Sequence, residues 1–433
     1  MKEKFIKSTL ILMLGGILTK LLGMVIRITM SRVTNIETIG LYMMILPTFS
    51  LMMAISQLGF SKSISKLISE NNYRSKNLLF SILPVSLLIN ILLTIFLIFT
   101  SRFIANNLLH NSNAYLPILS ISLVLPFDSL SSILRGFFFG KEKMFPHITS
   151  NLFEQITRLL LMILLIPNLL NKGVIVTTTA LILINVVSEL VSSLVLIFFL
   201  PKRFTIKKCD LRPSFSYIKD VLNISIPTTT TRIIGTISYF FEPIILTNVL
   251  LKVGYSTKFI TEEYGIITAF VMPILLLPSF FTNAISSALL PVISRGYANK
   301  NYSYIKKKLK QAISFSFLIT FLCLTVIYLF PNFFLTFFYN TDRGIEYLRF
   351  LCPFFLLHAL EAPLSTFLEA TNKASSVMID NVIGIIIKTI LLFILSHLGI
   401  GLYSLLIGMV VNIIIVTIRH IINIKKHIHN TQV

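Results

Sequence analysis

Charge is scarce in this chain of 433 residues: 13% of them are charged, 55% are hydrophobic, and the mean hydropathy is +0.85. Soluble domains carry nearer a quarter of charged residues. These values therefore indicate a polytopic membrane protein. Acids are scarcer still, 17 against 38 basic residues, which leaves a formal net charge of +21. In a soluble protein that excess would suggest nucleic acid. Here the cations sit in short loops between apolar runs, where they report membrane orientation, and no nucleic-acid partner is expected. Cysteine is limited to Cys209, Cys323 and Cys352, widely separated and two of them inside apolar runs. Neither a disulfide framework nor a zinc pattern is available. A nucleotide loop is also missing, because Gly136-Phe-Phe-Phe-Gly140-Lys141 is one residue short of the phosphate-loop spacing and follows no strand. No cofactor or metal is expected, and transport would draw on the membrane potential, on a proton or sodium ion gradient, or on a partner. No loop between runs is large enough for a catalytic domain, which argues against a membrane-embedded glycosyltransferase or acyltransferase, and no enzyme is expected.

What is present is a series of twelve apolar runs, each of about 20 residues, the length that crosses a bilayer as a helix. They cover 8–30, 39–60, 77–100, 115–136, 147–166, 175–200, 221–250, 265–290, 311–330, 347–371, 377–394 and 401–419. The first follows MKEKFIK without a small-residue cleavage site and is expected to be retained. Alternate loops hold 26 and 6 basic residues, so the positive-inside rule places both termini in the cytoplasm. The basic runs around 202–219 and 300–310 are read as solvated faces or as surfaces for lipid headgroups.

The basic stretch PKRFTIKKCDLRPS follows the sixth run and separates two sets of six. The expected organisation is an N-terminal bundle at 1–200, a cytoplasmic linker at 201–215 and a C-terminal bundle at 216–433. Traces of a repeat support it: Gly40 and Gly265 are 225 residues apart, Lys141 and Lys373 are 232 apart, and Arg158 and Lys388 are 230 apart. Six is even, so two homologous bundles would share one orientation about an axis along the membrane normal. The fold expected is all-α, with about 12 transmembrane helices in two six-helix bundles around a central cavity. A monomer is the default for such a protein.

Charges inside the runs are the candidates for function, because a charge in the membrane is costly. In STLILMLGGILTKLLGMVIRITM, Gly16, Lys20, Gly23, Arg27 and Ser31 fall on one helical stripe, with no acid nearby. Lys20 and Arg27 lie about 10 Å apart along the axis, a spacing that suits a diphosphate. The competing reading is a small-residue packing face with snorkelling cations. Asp128, Ser131, Ser132 and Arg135 share one side of the fourth run, and Glu154 and Arg158 are one turn apart in the fifth. In SIPTTTTRIIGTISYFFEP, Pro227 frees backbone groups that the threonines can satisfy. Arg232 follows one turn later and Glu242 lies deeper, with an ion pair from Arg232 to Glu242 or Glu189 as the structural alternative. His358, Glu361, Ser365 and Glu369 form a polar stripe in the tenth run. These are candidates for ion coupling or for lining a cavity, and a lone His-x-x-Glu is no metal site.

The segments GGILTKLLGMVIRITMSRV, ILRGFFFGKEKMFPHITSNLFEQITR and ISIPTTTTRIIGTISYFFEPIIL are together similar to the stage V sporulation protein B family. That family belongs to the multidrug/oligosaccharidyl-lipid/polysaccharide flippase superfamily. The resemblance implies a bacterial plasma-membrane flippase for an undecaprenyl-diphosphate-linked saccharide, a peptidoglycan or polysaccharide precursor, in sporulating cells that of the spore cortex. Partners would be that lipid-linked anionic saccharide, membrane lipids and cell-wall synthesis proteins. Lys20-Leu-Leu-Gly23 matches the basic-x-x-Gly motif of related lipid II flippases, and the set expected to hold the diphosphate is Lys20, Arg27, Arg232 and Arg135. Where relatives close the second run with Gly-x-Pro, this chain has Gly59-Phe60-Ser61. A cation-coupled multidrug exporter of the same fold and a non-transporting scaffold for cell-wall enzymes are the alternatives.

Overall fold

Apolar chain that enters a bilayer must close its own backbone hydrogen bonds, and helices do so within one segment. The computed structural model describes residues 2–70, 74–201 and 213–430, and their side chains other than those of 2–14, 17, 231 and 428–430. Cys209, most of the expected linker 201–215 and the cations from Lys202 to Arg212 lie outside the described residues. Among the described residues every regular element is helical.

The first compact unit spans Met1–Pro243 and the second Ile244–Val433. In order, the first holds α1 (Lys2–Val33), α2 (Ile36–Gln57), α3 (Phe60–Ser69), α4 (Ser75–Phe103), α5 (Tyr115–Gly140), α6 (Met144–Leu169), α7 (Val174–Phe198) and most of α8 (Phe215–Val253). The second holds α9 (Thr257–Gly265), α10 (Met272–Leu275), α11 (Ser279–Ala298), α12 (Tyr302–Leu329), α13 (Pro331–Tyr339), α14 (Ile345–Ala370), α15 (Ala374–His397) and α16 (Tyr403–Asn430). Each of the twelve apolar runs falls on these helices. Among the described residues ten helices are individually long and apolar enough to span, and Thr257–Leu275 with Ser279–Ala298 forms an eleventh candidate. The remaining run, 8–30, lies within α1.

The eighth run is not one straight helix. Wide helical turns at Ile266–Val271 lead into α10, and the chain bends by 53° before α11. Pro278 sits at the bend and cannot continue the hydrogen-bond ladder. By contrast α8 is assigned as helix through both Pro227 and Pro243. The hydroxyls of Thr228, Thr229 and Thr230 donate back to the carbonyls of Ile224, Ser225 and Ile226, which ties down the turn around Pro227.

The division into units falls inside α8, and packing explains why. Val221 of α8 joins Phe60, Ile64, Leu78, Ile82, Ile133, Phe137 and Leu196 in a cluster built by α3, α4, α5, α7 and α8. Ser225 of α8 is hydrogen-bonded to Ser63 of α3. Gly136 and Gly140, the glycines of the false phosphate loop, are the places where α3 crosses α5: a Cβ would stand 2.8 Å from the Ser61 carbonyl at Gly136 and 2.6 Å from Ile68 at Gly140. In the first unit α5 and α6 both pack on α7, and in the second α14 and α15 both pack on α16. The outer helix α4 exposes Leu88, Ile91, Leu92, Ile98 and Phe99, the last at 78%. A continuous apolar face of that size is stable only in lipid.

Candidate functional site

On α1 the packed side and the charged side are different sides. Gly15, Ile26 and Met30 are buried, and a Cβ at Gly15 would come within 2.6 Å of Ile148 on α6. Gly16, Lys20 and Arg27 are exposed, and a Cβ at Gly16 or Gly23 would meet no described atom within 4 Å. The glycines of the charged stripe are therefore not a packing face for a described helix. Leu18, Leu21 and Val25, at 43–48% exposure, lie roughly 150° around the helix from that stripe at 100° per residue. The apolar exposed face suits lipid, and the charged face is open on another side.

This separation predicts opposite consequences for two glycines. Gly15→Leu should overpack the α1–α6 contact, costing about 1–3 kcal/mol, and lower the melting temperature of the purified protein. Gly23→Leu should leave melting unchanged and obstruct the stripe, lowering transport. Equal melting losses for both would refute the assignment of faces.

Arg232 is exposed, and its Nη1 donates to Oε1 of Gln57 at 2.6 Å rather than to Glu189 or Glu242. Gln57 Nε2 in turn donates to both carboxylate oxygens of Asp128, each at 2.8 Å. Asp128 is 2% exposed. Glu242 is buried on the same helix as Arg232.

A second network joins α5, α6 and α7. Glu154 receives Nη2 of Arg135 on one oxygen and Nη2 of Arg158 on the other, both at 2.9 Å. The Arg135 nitrogen also donates to Ser192 Oγ at 3.0 Å and lies 3.6 Å from Glu189, an ion contact too long for a hydrogen bond. Arg135 is thus enclosed by two acids and a hydroxyl, while Lys20, Arg27 and Arg232 stand exposed. Glu154 and Arg158 do pair across one helical turn, but Arg135 shares the same carboxylate.

In the second unit the stripe of α14 lines a cavity of about 430 Å³ together with Asn283, Asn381 and His420. His358 Nδ1 approaches Glu361 Oε2 at 3.2 Å, and the other Glu361 oxygen is buried without a hydrogen-bond partner. Glu369 faces the same cavity. Behind it, fully buried Asp380 of α15 accepts from Arg419 Nε at 2.7 Å, His420 Nδ1 at 2.9 Å and Asn423 Nδ2 at 2.7 Å. Sequence reading passed over this cluster. Asp380 is the one acid of α15 and falls inside an apolar run, which is the signal that marks it.

Long lipid-facing helices, two units with the same internal helix pairing, and charges held inside the spans define a polytopic membrane transporter. The chain belongs to the polysaccharide biosynthesis protein family, whose sequence profile matches residues 5–297. The MatE profile matches 266–394. Stage V sporulation protein B of Bacillus subtilis is 32% identical over 98% of this chain and 84% of its own length. The lipid II flippase MurJ of the same organism is 22% identical over 90% of this chain and 77% of its own. An inward-facing multidrug resistance MATE family transporter of the MOP superfamily shares the fold, with a TM-score of 0.76, 17% identity, and coverage of 96% of this chain and 95% of that one. An outward-facing structure of that family aligns with a TM-score of 0.64 and 17% identity over 100% of this chain and 97% of that one. The chain is accordingly a multi-pass membrane transporter of the flippase superfamily and not an enzyme.

Proposed function

We propose that this protein moves an undecaprenyl-diphosphate-linked saccharide outward across a bacterial plasma membrane, with both termini in the cytoplasm. The observation that carries the reading is the α1 stripe: two exposed cations two helical turns apart, about 10 Å along the axis, with no acid on the stripe and no described helix packed over its glycines. Lys20 and Arg27 bind the diphosphate and Arg232 supplies a third cation. Arg135, enclosed by Glu154 and Glu189, holds the surrounding helices in register. The polyprenyl tail stays in the bilayer while the headgroup crosses. Moving one negative charge out of an inside-negative cell gains ~2.3 kcal/mol per 100 mV, so the membrane potential favours the outward direction. A monomer suffices for this transport. The relatives named for sporulation and for lipid II support a peptidoglycan precursor, for the spore cortex where the cell sporulates.

The acid-lined cavity of the second unit favours one rival, a cation-coupled multidrug exporter, because Glu361 and Glu369 suit a proton, a sodium ion or a cationic drug. Proteoliposomes carrying an undecaprenyl-diphosphate disaccharide separate the two. Outward movement of the headgroup under an imposed potential is expected, without efflux of cationic dyes from expressing cells. Dye efflux with no lipid movement would establish the exporter instead. Should charge reversals on α1 leave cell-wall synthesis intact, a scaffold for cell-wall enzymes would be the better reading.

A further inference from the structure

Three arginines of the first unit are held in two different ways. Arg135 and Arg158 are closed off by direct carboxylate contacts, whereas Arg232 is held by a neutral amide. We infer that Gln57 is the positioning residue of the anion site: it fixes the Arg232 guanidinium while keeping the buried Asp128 carboxylate one side chain away from it. The inference rests on the proposal that Arg232 meets a diphosphate.

The local backbone aims Gln57. It is the last residue of α2, and the chain turns immediately after it through Leu58 and Gly59, both in the left-handed region with φ of 38° and 64°. Glycine is needed at the second position twice over, for its φ and because a Cβ there would stand 2.5 Å from Thr229 Oγ1 of α8. The break therefore brings the end of α2 against the helix that carries Arg232.

Charge at both ends fixes the orientation of the amide. A carboxylate only accepts and a guanidinium only donates. Gln57 must therefore turn its NH2 to Asp128 and its oxygen to Arg232, since the flipped amide would set like against like at both contacts. The two oxygens of Asp128 thus lock the amide, and the amide locks Arg232. A direct Asp128–Arg232 pair would place the guanidinium equally well, but an incoming phosphate would then have to displace a carboxylate. An amide oxygen is a weaker competitor, because hydrogen bonds with both partners charged are the stronger ones. Gln57 transmits position without neutralising the charge.

The test is binding of a short polyprenyl diphosphate, and of the matching uncharged polyprenol, to the purified full chain in detergent. Arg232→Ala is expected to weaken diphosphate binding roughly 10-fold or more. Gln57→Glu should weaken it by a similar factor, because its carboxylate pairs with Arg232, and adding Arg232→Ala to Gln57→Glu should produce no further loss. Gln57→Leu, which removes the tether without adding charge, should weaken binding about threefold to fivefold. Polyprenol binding should be unchanged throughout, which a role in folding alone would not spare. If Gln57→Glu does not fold, Gln57→Leu decides, and native affinity in it overturns the inference. Native affinity in Gln57→Glu alongside weakened Arg232→Ala also overturns the inference and leaves the proposed function standing. Native affinity in Arg232→Ala removes Arg232 from the site and overturns both the inference and that part of the proposed function.

Discussion

Lys20→Ala combined with Arg27→Ala is expected to slow headgroup translocation in proteoliposomes by roughly 10²- to 10³-fold while leaving the melting temperature within a few degrees of native. Charge-assisted hydrogen bonds to phosphate are worth enough for about 10- to 100-fold apiece, and two on one ligand are not fully additive. The expectation of unchanged stability comes from the geometry of α1. Both side chains are exposed, and the packed residues Gly15, Ile26 and Met30 lie on another face. Lys20→Arg should retain most activity. Arg27→Lys keeps the charge but loses the planar fork, and an intermediate rate is expected. Leu21→Ala, a change of similar size on the lipid side, serves as control. A double variant that still translocates at the native rate would exclude the stripe from the substrate path, whatever the relatives transport.

Features that lie along one helix were legible in the sequence, and features that join helices were not. The α1 stripe and the Glu154–Arg158 pair follow from 100° per residue alone, and both stand in the structure as spacing implies. The glycines at 136 and 140 could be denied a nucleotide, but their actual partner, α3, lies some seventy residues earlier in the chain. Likewise the break at Leu58–Gly59 takes the place of an absent Gly-x-Pro motif. It shows only once α8 is seen pressing against Gly59. Gln57 was invisible for a simpler reason: a single amide at a helix end has no periodicity, and its meaning comes from two charges, one 71 and one 175 residues further on. The ion pair that stood as the structural alternative for Arg232 is not the contact it makes: its guanidinium meets that amide instead. The second unit adds a case in which the signal was present but cut by a boundary. Arg419, His420 and Asn423 face Asp380 at helical spacing on α16, yet an apolar run ending at 419 stops at the first and leaves out the others.

Asp380→Ala is the substitution expected to cost most in stability, about 3–5 kcal/mol. The side chain is fully buried and is the shared acceptor for a guanidinium, an imidazole and an amide that all come from α16. Its removal leaves His420, 1% exposed, and the Asn423 amide without their acceptor. Arg419 suffers less: its side chain is 38% exposed and can turn to water, so its share of the loss is screened. That asymmetry makes the lower half of the range the expected value. Asp380→Asn should cost less than Asp380→Ala, because Oδ2 already accepts from both His420 and Asn423 and an amide oxygen in its place keeps both, while the NH2 falls opposite the half-exposed Arg419. Thermal melts of the detergent-solubilised variants should therefore rank native above Asp380→Asn above Asp380→Ala. Adding Arg419→Ala to Asp380→Ala should lower the melt by less than Arg419→Ala does in the native background, as partners in one network must. Additive losses would mean that Arg419 and Asp380 act separately, and the clamp between α15 and α16 would have to be assigned to their apolar contacts alone.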